Sequence, residues 1–313
     1  MRFAPADAHA AVFDHFGVAP ADRPTASCYR WAPVYRTRVD GRIAAIKRTA
    51  APLTDADGLA AWLGALADRG IPVVSPLALP VRNPAPIGRS DEVWVAYPWI
   101  DGRRYDGSDA DVAAAGDLLG RLHTVDVPDD GVPDLTWPAP DADSVAEDID
   151  GLRPVVPPRD LHRLSAQLAA FTAETLPAIR DAGLPTRAVS LDFKAENLVY
   201  TVDGPVLVDP DNADRAPRLL DLANAALLFH NDRPEADALF DPGRWAVFRD
   251  AYTRRVALTA DERALWPVAV RYMILEWAVW TLIDAGRHGE WNVEPRRSFL
   301  CDLAGTDEHR FPL

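Results

Sequence analysis

Four polar residues near the middle of the chain have the types and the spacing that phosphoryl transfer requires. Asp192 and Asn197 stand five residues apart, and Asp209 and Asp211 come after a short predicted hairpin with its turn at Asp203-Gly204. The hairpin folds the second pair back towards the first, so one candidate base meets two or three oxygen ligands. A carboxylate that orients a hydroxyl, beside hard oxygen ligands for Mg²⁺, suits phosphoryl transfer from a magnesium-bound nucleotide.

The lysines of this chain point to the same chemistry. Only Lys47 and Lys194 are lysines among the 33 basic residues, and all the others are arginine. A lysine that persists in such a composition is expected where a compact charge must meet a phosphate, because the planar guanidinium is a poor substitute for a point charge. Lys194 lies inside the segment described above. Lys47 ends the stretch Ala-Ala-Ile-Lys, which is close to the V-A-I-K strand of nucleotide-binding kinases.

Together with two further segments, these stretches resemble the motifs of the aminoglycoside phosphotransferase and choline kinase family of small-molecule kinases. The segment 191–198 resembles the catalytic loop H-G-D-x-x-x-x-N, and 208–211 resembles I-D-[WF]-[DE]. The D-L-A that follows in the family is present at 221–223, and 120–123 resembles a G-x-L-H helix end. The matches run in the family's order from about residue 34 to residue 223.

The resemblance implies an α+β, two-lobed, protein-kinase-like fold. Residues 1–100 would form a small, strand-rich nucleotide-binding lobe, and residues 103–313 a larger, mainly helical lobe for catalysis and acceptor binding, with a hinge near 96–102. The implied reaction is Mg²⁺-dependent transfer of the γ-phosphoryl group of ATP or GTP to a hydroxyl of a small molecule. An antibiotic, an amino sugar or a nucleoside-like metabolite is the expected acceptor, and antibiotic resistance is one role for such an enzyme.

The resemblance also implies roles for the residues of the catalytic segment. Asp192 is expected to orient and deprotonate the acceptor hydroxyl, and Lys194 to contact the transferred phosphoryl group, with a surface or acid-pairing role as its alternative. Asn197 and Asp209 are expected to hold Mg²⁺. Asp211 is expected to be a further metal ligand, unless it is a loop aspartate bonded to nearby backbone.

Further residues are expected to bind the nucleotide or to support the catalytic loop. Asp221 is expected to brace that loop, and His123 to cap or pack its helix end. Lys47 would neutralise the α and β phosphates, while Ala45 and Ile46 would pack on the base. The backbone around Ala96, Tyr97 and Trp99 would pair with the edge of the base.

Three departures from the family pattern leave open a catalytically weak, nucleotide-binding pseudokinase with a regulatory role. Ser190 stands where the family has His, and the phosphate-covering segment 27–33 contains no Gly. The helix after Lys47 contains no Glu, so Asp57 is the expected partner of that lysine. A protein kinase is disfavoured because neither D-F-G nor A-P-E follows the catalytic segment.

Aromatic and acidic residues near the C-terminus are the candidates for acceptor recognition. Aromatic rings with carboxylates suit an amine or a quaternary ammonium, although tryptophans at helical spacing also fit a packed core. The candidates are Glu276, Trp277, Trp280, Asp284, Glu290 and Trp291.

Composition narrows the partners and the compartment. The net charge of −14 and the absence of a basic stripe argue against nucleic acid. The apolar segment 266–283 carries Arg271 and Glu276, so it predicts a buried helix and no membrane partner. No signal-peptide core stands near the N-terminus, so the cytoplasm is expected, with free thiols at Cys28 and Cys301. Oligomeric state is left open.

The elements that position these residues follow from hydrophobic periodicity and turn signals. A hairpin is predicted over 34–39 and 43–48, a helix near 59–66 and a strand over 93–97. The pattern then predicts a helix over 112–122, a Pro- and Asp-rich loop over 127–143, and helices over 160–180, 243–256 and 261–286.

Overall fold

The computed structural model describes residues 9–29, 32–88, 92–231 and 238–313. Within these ranges the strands are β1 Val34–Val39, β2 Arg42–Arg48, β3 Ala85–Pro86, β4 Val93–Pro98, β5 Thr186–Val189, β6 Leu198–Thr201, β7 Gly204–Leu207 and β8 Asp214–Pro217. The helices are α1 Ala10–His15, α2 Leu53–Asp68, α3 Asp109–Leu122, α4 Ala142–Leu152, α5 Pro158–Ala170, α6 Leu176–Arg180, α7 Arg218–Leu228, α8 Pro242–Thr253, α9 Ala260–Met273, α10 Val279–Arg287 and α11 Arg296–Gly305. Short π-helical segments at Phe171–Thr175 and Ile274–Ala278 interrupt the predicted helices over 160–180 and 261–286.

The N-terminal part is an antiparallel sheet in the order β1-β2-β4-β3. Its first hairpin turns at Asp40 and Gly41, both with positive φ, as a two-residue turn between twisted strands requires. One face of β2 and β4, including Ile46 and Ala96, packs in a small core with α1. The opposite face, which carries Lys47 and Tyr97, looks towards the C-terminal part.

The helix α2 joins this sheet to the rest of the molecule. Leu59, Leu63 and Leu66 repeat at helical spacing and pack into the same core as the C-terminal helices. The helix ends where Gly70 takes a φ of 72° and Ile71 donates its N–H to the Leu66 carbonyl. One face of the sheet and one face of α2 therefore border the C-terminal lobe directly.

The C-terminal part is a helical assembly around α7, whose length is almost wholly buried. The helices α3 and α8 pack so closely that a Cβ on Gly116 would lie 2.3 Å from the Phe248 carbonyl oxygen. Two small antiparallel sheets, β5 with β8 and β6 with β7, lie beside this assembly. The N–H of Val74 bonds to the Leu207 carbonyl at the end of β7, which ties the hairpin to the N-terminal part.

Most of the predicted elements are present, with shifted ends. The first hairpin, α2, β4 and α3 are confirmed, and the predicted loop ends where α4 begins at Ala142. The sequence patterns did not predict four helices (α1, α4, α7 and α11) or three short strands (β3, β5 and β8). In the described part of the chain, no helix has both the length and the apolar character of a membrane span.

Candidate active site

Two side chains of α7 form hydrogen bonds with the backbone of the segment that carries Asp192. Ser190 donates its backbone N–H to the Asp221 carboxylate at 3.1 Å, and Asn224 donates its side-chain amide to the Leu191 carbonyl. Leu191 has a φ of 50°, a left-handed backbone conformation that non-glycine residues adopt only when the surroundings impose it. The turn before Asp192 is therefore fixed by two side chains of one buried helix.

Asp221 is itself held by a buried histidine. The His123 Nε2 atom lies 3.0 Å from the Asp221 carboxylate, and its Nδ1 atom lies 2.9 Å from the Tyr252 hydroxyl. Burial lowers the pKa of His123 by more than the hydrogen bond and charge of Asp221 raise it. Sequence reasoning predicted only a capping or packing role for His123, whereas the structure links it to the support of the catalytic segment. Ser190, which replaces the family histidine, contributes its backbone N–H to this network.

Both oxygens of Asp192 have partners. Asn197 donates its amide to the Asp192 backbone carbonyl and to Oδ2, each at 2.9 Å, and Asn212 donates to Oδ2 at 3.2 Å. The Lys194 ammonium lies 2.9 Å from Oδ1. Burial raises the pKa of Asp192, and the charge of Lys194 lowers it by less. The Asp192 carboxylate is thus fixed in place, and the charge of Lys194 offsets only part of the cost of burying its ionised form.

Asn197 and Asp209, the residues expected to hold Mg²⁺, lie near this carboxylate and line the cleft between the lobes. The hydrogen bonds from the Asn197 amide nitrogen to Asp192 fix its orientation, which leaves Oδ1 of Asn197 for another partner. Among the described residues, no group of three or more His, Cys, Asp and Glu could hold a metal by itself. One amide and one carboxylate oxygen nonetheless fit Mg²⁺, which commonly completes its shell with water and phosphate oxygens.

Lys47 reaches across the cleft from β2 to the C-terminal part. Its Nζ atom lies 2.5 Å from Asp209 Oδ1 and 2.9 Å from Asp211 Oδ2. Burial alone would lower the pKa of Lys47, but the carboxylates of Asp211 and Asp209 together raise it well above its ordinary value. The predicted pairing with Asp57 is wrong. Asp57 lies on the exposed face of α2 and pairs with Arg82 at 2.8 Å.

The cleft between the lobes has a volume of about 340 Å³. The predicted nucleotide-binding residues Ala45, Lys47, Tyr97 and Trp99 line it. Ile46 and Ala96 do not, because both pack in the N-terminal core on the opposite face of the sheet. Ala96 faces the N-terminal core, and its backbone N–H and carbonyl are bonded to the Asn83 side chain at 2.9 and 2.8 Å. The alternation of β4 turns Tyr97 into the cleft and Ala96 away from it.

Comparison with known proteins establishes the family. A model described as the phosphotransferase enzyme family matches residues 31–266. The chain belongs to this family. Among curated proteins, none matches the chain in sequence. The predictions of the family, of the two-lobed α+β fold and of a phosphotransferase are confirmed.

Solved structures show the fold of this phosphotransferase at low sequence identity. A microcompartment-associated aminopropanol kinase superposes with a TM-score of 0.66 at 15% identity, covering 94% of this chain and 92% of its own. An amicoumacin kinase, solved with AMP-PNP, Ca²⁺ and amicoumacin, gives a TM-score of 0.60 at 16% identity over 94% and 90% of the two chains. An aminoglycoside phosphotransferase from Alicyclobacillus acidocaldarius gives 0.57 at 17% identity, covering 96% of both chains.

The glycine-free segment 27–33, which was expected to cover the phosphates, borders the cleft of this phosphotransferase. Cys28 and Tyr29 of the glycine-free segment line the cleft, and the Ser27 hydroxyl accepts the N–H groups of Tyr29 and Val34. Tyr29 also reaches Glu196 of the catalytic loop at 3.5 Å, across the cleft. Two residues of this segment, Arg30 and Trp31, lie outside the described residues. Cys28 was not predicted at the cleft, because its position there depends on the approach of two distant segments.

A second cavity, of about 330 Å³, lies on the other side of the 209–214 segment. It is lined by Ala50, Ala51, Pro52, Asp55, Leu59, Pro133, Leu135, Thr136, Leu191, Asp211, Asn212, Ala213, Asp214, Leu220, Tyr272, Met273, Glu276 and Trp277. Of the six residues predicted to recognise the acceptor, Glu276 and Trp277 border it. The other four, Trp280, Asp284, Glu290 and Trp291, do not. Trp280 is exposed, and Trp291 donates its indole N–H to the Leu282 carbonyl.

Three carboxylates of the second cavity have no hydrogen bond or ion pair with the described residues: Asp55, Asp214 and Glu276. Burial raises the pKa of Glu276, with a smaller contribution from Asp148. Burial also raises the pKa of Asp214, and the neighbouring Asp55 adds to the effect. These shifts indicate negative charge that the protein itself does not compensate.

Proposed function

We propose that this small-molecule kinase transfers the γ-phosphoryl group of ATP or GTP, with Mg²⁺, to a hydroxyl of an acceptor that carries a cationic amine. One observation carries the proposal: the Asp192 carboxylate stands between the nucleotide-sized cleft and the second cavity. Asn197, which holds it on one side, lines the cleft, and Asn212, which holds it on the other, lines the second cavity.

On the nucleotide side, the chain would supply positive charge and metal ligands. Lys47 is the cation in the cleft that reaches phosphates from the N-terminal sheet, and Asn197 with Asp209 would hold Mg²⁺. Bound Mg²⁺ would neutralise phosphate charge. Lys194 lies beside the base, where its ammonium would meet the transferred group. Positioning and charge neutralisation of this kind supply most of the catalysis in phosphoryl transfer.

On the acceptor side, Asp192 would accept the proton of the attacking hydroxyl. Its hydrogen bonds to Asn197 and Asn212 orient the carboxylate, so the acceptor oxygen need not reorganise it. Burial raises the pKa of Asp192, which makes its carboxylate a better proton acceptor than that of an exposed aspartate.

The charges of the second cavity favour a cationic acceptor. Burying a carboxylate without a partner is unfavourable, and an amine among Asp55, Asp214 and Glu276 would remove that cost. The rings of Tyr272 and Trp277 line the same space, where an aromatic face attracts a cation. Aminopropanol and aminoglycosides, the acceptors named for two of the similar structures, each combine amino and hydroxyl groups.

The reaction is tested by nucleoside diphosphate release from Mg-ATP and Mg-GTP over a panel of aminoglycosides, peptide and nucleoside antibiotics, amino sugars and choline. We expect release that depends on one class of amine-bearing acceptor and falls by about 10²–10⁴-fold in Asp192→Asn. Full turnover in that variant would contradict the assignment of the base. Nucleotide binding without release for any acceptor would instead favour the pseudokinase.

The acceptor class is tested by removing charge from the cavity. Asp214→Asn and Glu276→Gln should each raise KM for the amine acceptor about tenfold or more, because each removes a charge that faces it. The same two substitutions should change KM little for an analogue in which the amine is acetylated, because that analogue carries no positive charge. Asp284→Asn, which removes a carboxylate outside the cavity, is the matched control and should leave both values unchanged. Equal effects on the amine and its acetylated analogue would rule out charge recognition.

A further inference from the structure

Lys47 is a buried cation, and its acidic partners do not lie on the following helix, where protein kinases have theirs. Its side chain is only 8% exposed, so it needs a fixed negative partner to remain charged. In protein kinases the equivalent strand lysine pairs with a glutamate on the following helix. Here neither acid near the start of α2 pairs with Lys47, because Asp57 pairs with Arg82 and Asp55 lines the second cavity.

We propose that Asp211 positions Lys47, replacing a helix glutamate, and does not act as a metal ligand. This inference rests on the proposed kinase function. The Asp211 Oδ2 atom lies 2.9 Å from the Lys47 Nζ atom, and its Oδ1 atom accepts a hydrogen bond of 3.3 Å from the Tyr97 hydroxyl. Tyr97 is itself buried in β4, so one oxygen is anchored to the sheet while the other holds the lysine.

Asp209 and Asp211 have different surroundings, which indicates different roles. The Asp209 side chain is 31% exposed and lines the nucleotide cleft, where it can reach a metal and phosphates. The Asp211 side chain is 2% exposed and lies on the far side of Lys47, against the second cavity. Asp209 can therefore turn towards a bound metal without leaving Lys47 unpaired, because Asp211 stays in contact with the lysine.

The pair also connects the two lobes. Lys47 belongs to β2 of the N-terminal sheet, and Asp211 to the segment between β7 and β8 of the C-terminal part. This buried contact of 2.9 Å across the cleft fixes the position of the Lys47 ammonium relative to the phosphates that it is proposed to bind. Asp211 is thus a positioning residue that acts through Lys47. Its loss should displace the Lys47 ammonium from the position in which it contacts the nucleotide.

A double-mutant cycle on kcat/KM for the nucleotide tests this role. Lys47→Met and Asp211→Asn should each lower kcat/KM by about 10- to 100-fold, and the double variant should be no more than about threefold worse than Lys47→Met alone. Losses that multiply would overturn the proposal. Wild-type turnover reports separately on the proposed function, and if no acceptor is found the same cycle is run on ADP affinity by calorimetry.

The magnesium requirement separates positioning from metal binding. Asp209→Asn should raise the Mg²⁺ concentration for half-maximal rate about tenfold or more, whereas Asp211→Asn should leave it within about twofold of the wild type. An equal shift in the two variants, or rescue of Asp211→Asn by excess Mg²⁺, would make Asp211 a metal ligand. Should Asp211→Asn not fold, Tyr97→Phe removes the anchor of Asp211 and should raise the nucleotide KM several-fold at an unchanged Mg²⁺ requirement. An unchanged KM in Tyr97→Phe would count against the proposal.

Discussion

Gly58 of α2 and Gly131 of the loop after α3 lie in direct backbone contact. A Cβ on Gly58 would come within 1.8 Å of the Gly131 carbonyl oxygen, and one on Gly131 within 2.8 Å of the Gly58 Cα. This contact holds the first half of α2 against the C-terminal part. It thereby places Asp55, one turn earlier, at the wall of the second cavity.

Replacing Gly58 with alanine should therefore destabilise the protein, although alanine is the better helix former. The methyl group would overlap backbone atoms that cannot move aside, at a cost of about 1–3 kcal/mol. Gly64→Ala is the matched control, because it lies in the same helix with no atom within 4 Å of its Cβ position. We expect Gly64→Ala to stabilise by about 0.5–1 kcal/mol. Urea unfolding midpoints measure both, and shifts of the same sign would contradict the close contact.

Local motifs allowed the catalytic segment to be predicted from sequence, because its parts lie within twenty residues of one another. Asp192, Asn197 and Asp209 are brought together by one hairpin whose turn signal is strong. The first hairpin and α2 were likewise predicted, because each depends on its own turn residues or its own periodicity. Roles that resemblance assigned to these side chains stay predictions until the variants are measured.

Contacts between distant segments were not predicted in the same way. The partner of Lys47 was sought on α2, whereas the structure provides it from the segment after β7. Ala96 and Tyr97 are neighbours in sequence, yet only Tyr97 faces the cleft, because side chains alternate along β4. The backbone groups of Ala96 are bonded to the side chain of Asn83, a contact that no local pattern shows. The acids Asp55 and Asp214 were not proposed for the acceptor, since no local pattern shows that α2 and β8 border one cavity.

Lys194 should set the pH at which activity is lost on the acidic side. In the proposed mechanism Asp192 acts in its ionised form, so activity should fall as the pH drops through its pKa. Burial raises that pKa, and the Lys194 charge, 2.9 Å away, lowers it. In Lys194→Met the pKa of Asp192 should rise further, so the acidic limb of kcat/KM for the acceptor should move up by about one pH unit or more.

Lys194→Arg is the control for this shift, because it keeps the positive charge while changing its shape. Its acidic limb should stay close to that of the wild type, even if the rate on the plateau falls. An acidic limb that does not move in Lys194→Met would show that the lysine does not tune the base.

The ion pair between Arg218 and Glu262 should matter for stability and not for chemistry. Arg218 donates two hydrogen bonds of 2.7 and 2.9 Å to the Glu262 carboxylate, which is fully buried and also caps α9 through Thr259. Arg218→Ala leaves a buried carboxylate without its cation and should cost about 3–5 kcal/mol at neutral pH. Arg255→Ala, which breaks a half-exposed pair with Asp117, should lower the free energy of unfolding far less, because solvent screens that pair.

The pH dependence of that loss gives the sharper test. Burial alone would raise the pKa of Glu262, but Arg218 and the Thr259 backbone together hold it below its ordinary value of 4.5. The pair therefore contributes stability above about pH 4.5, which is lost as the pH falls through the lowered pKa of the folded state. In Arg218→Ala the buried carboxyl can be protonated at a higher pH, which removes its charge. The difference in unfolding free energy between wild type and variant should accordingly shrink from pH 7 to pH 4, as measured by urea unfolding at each pH, and a constant difference would exclude this electrostatic origin.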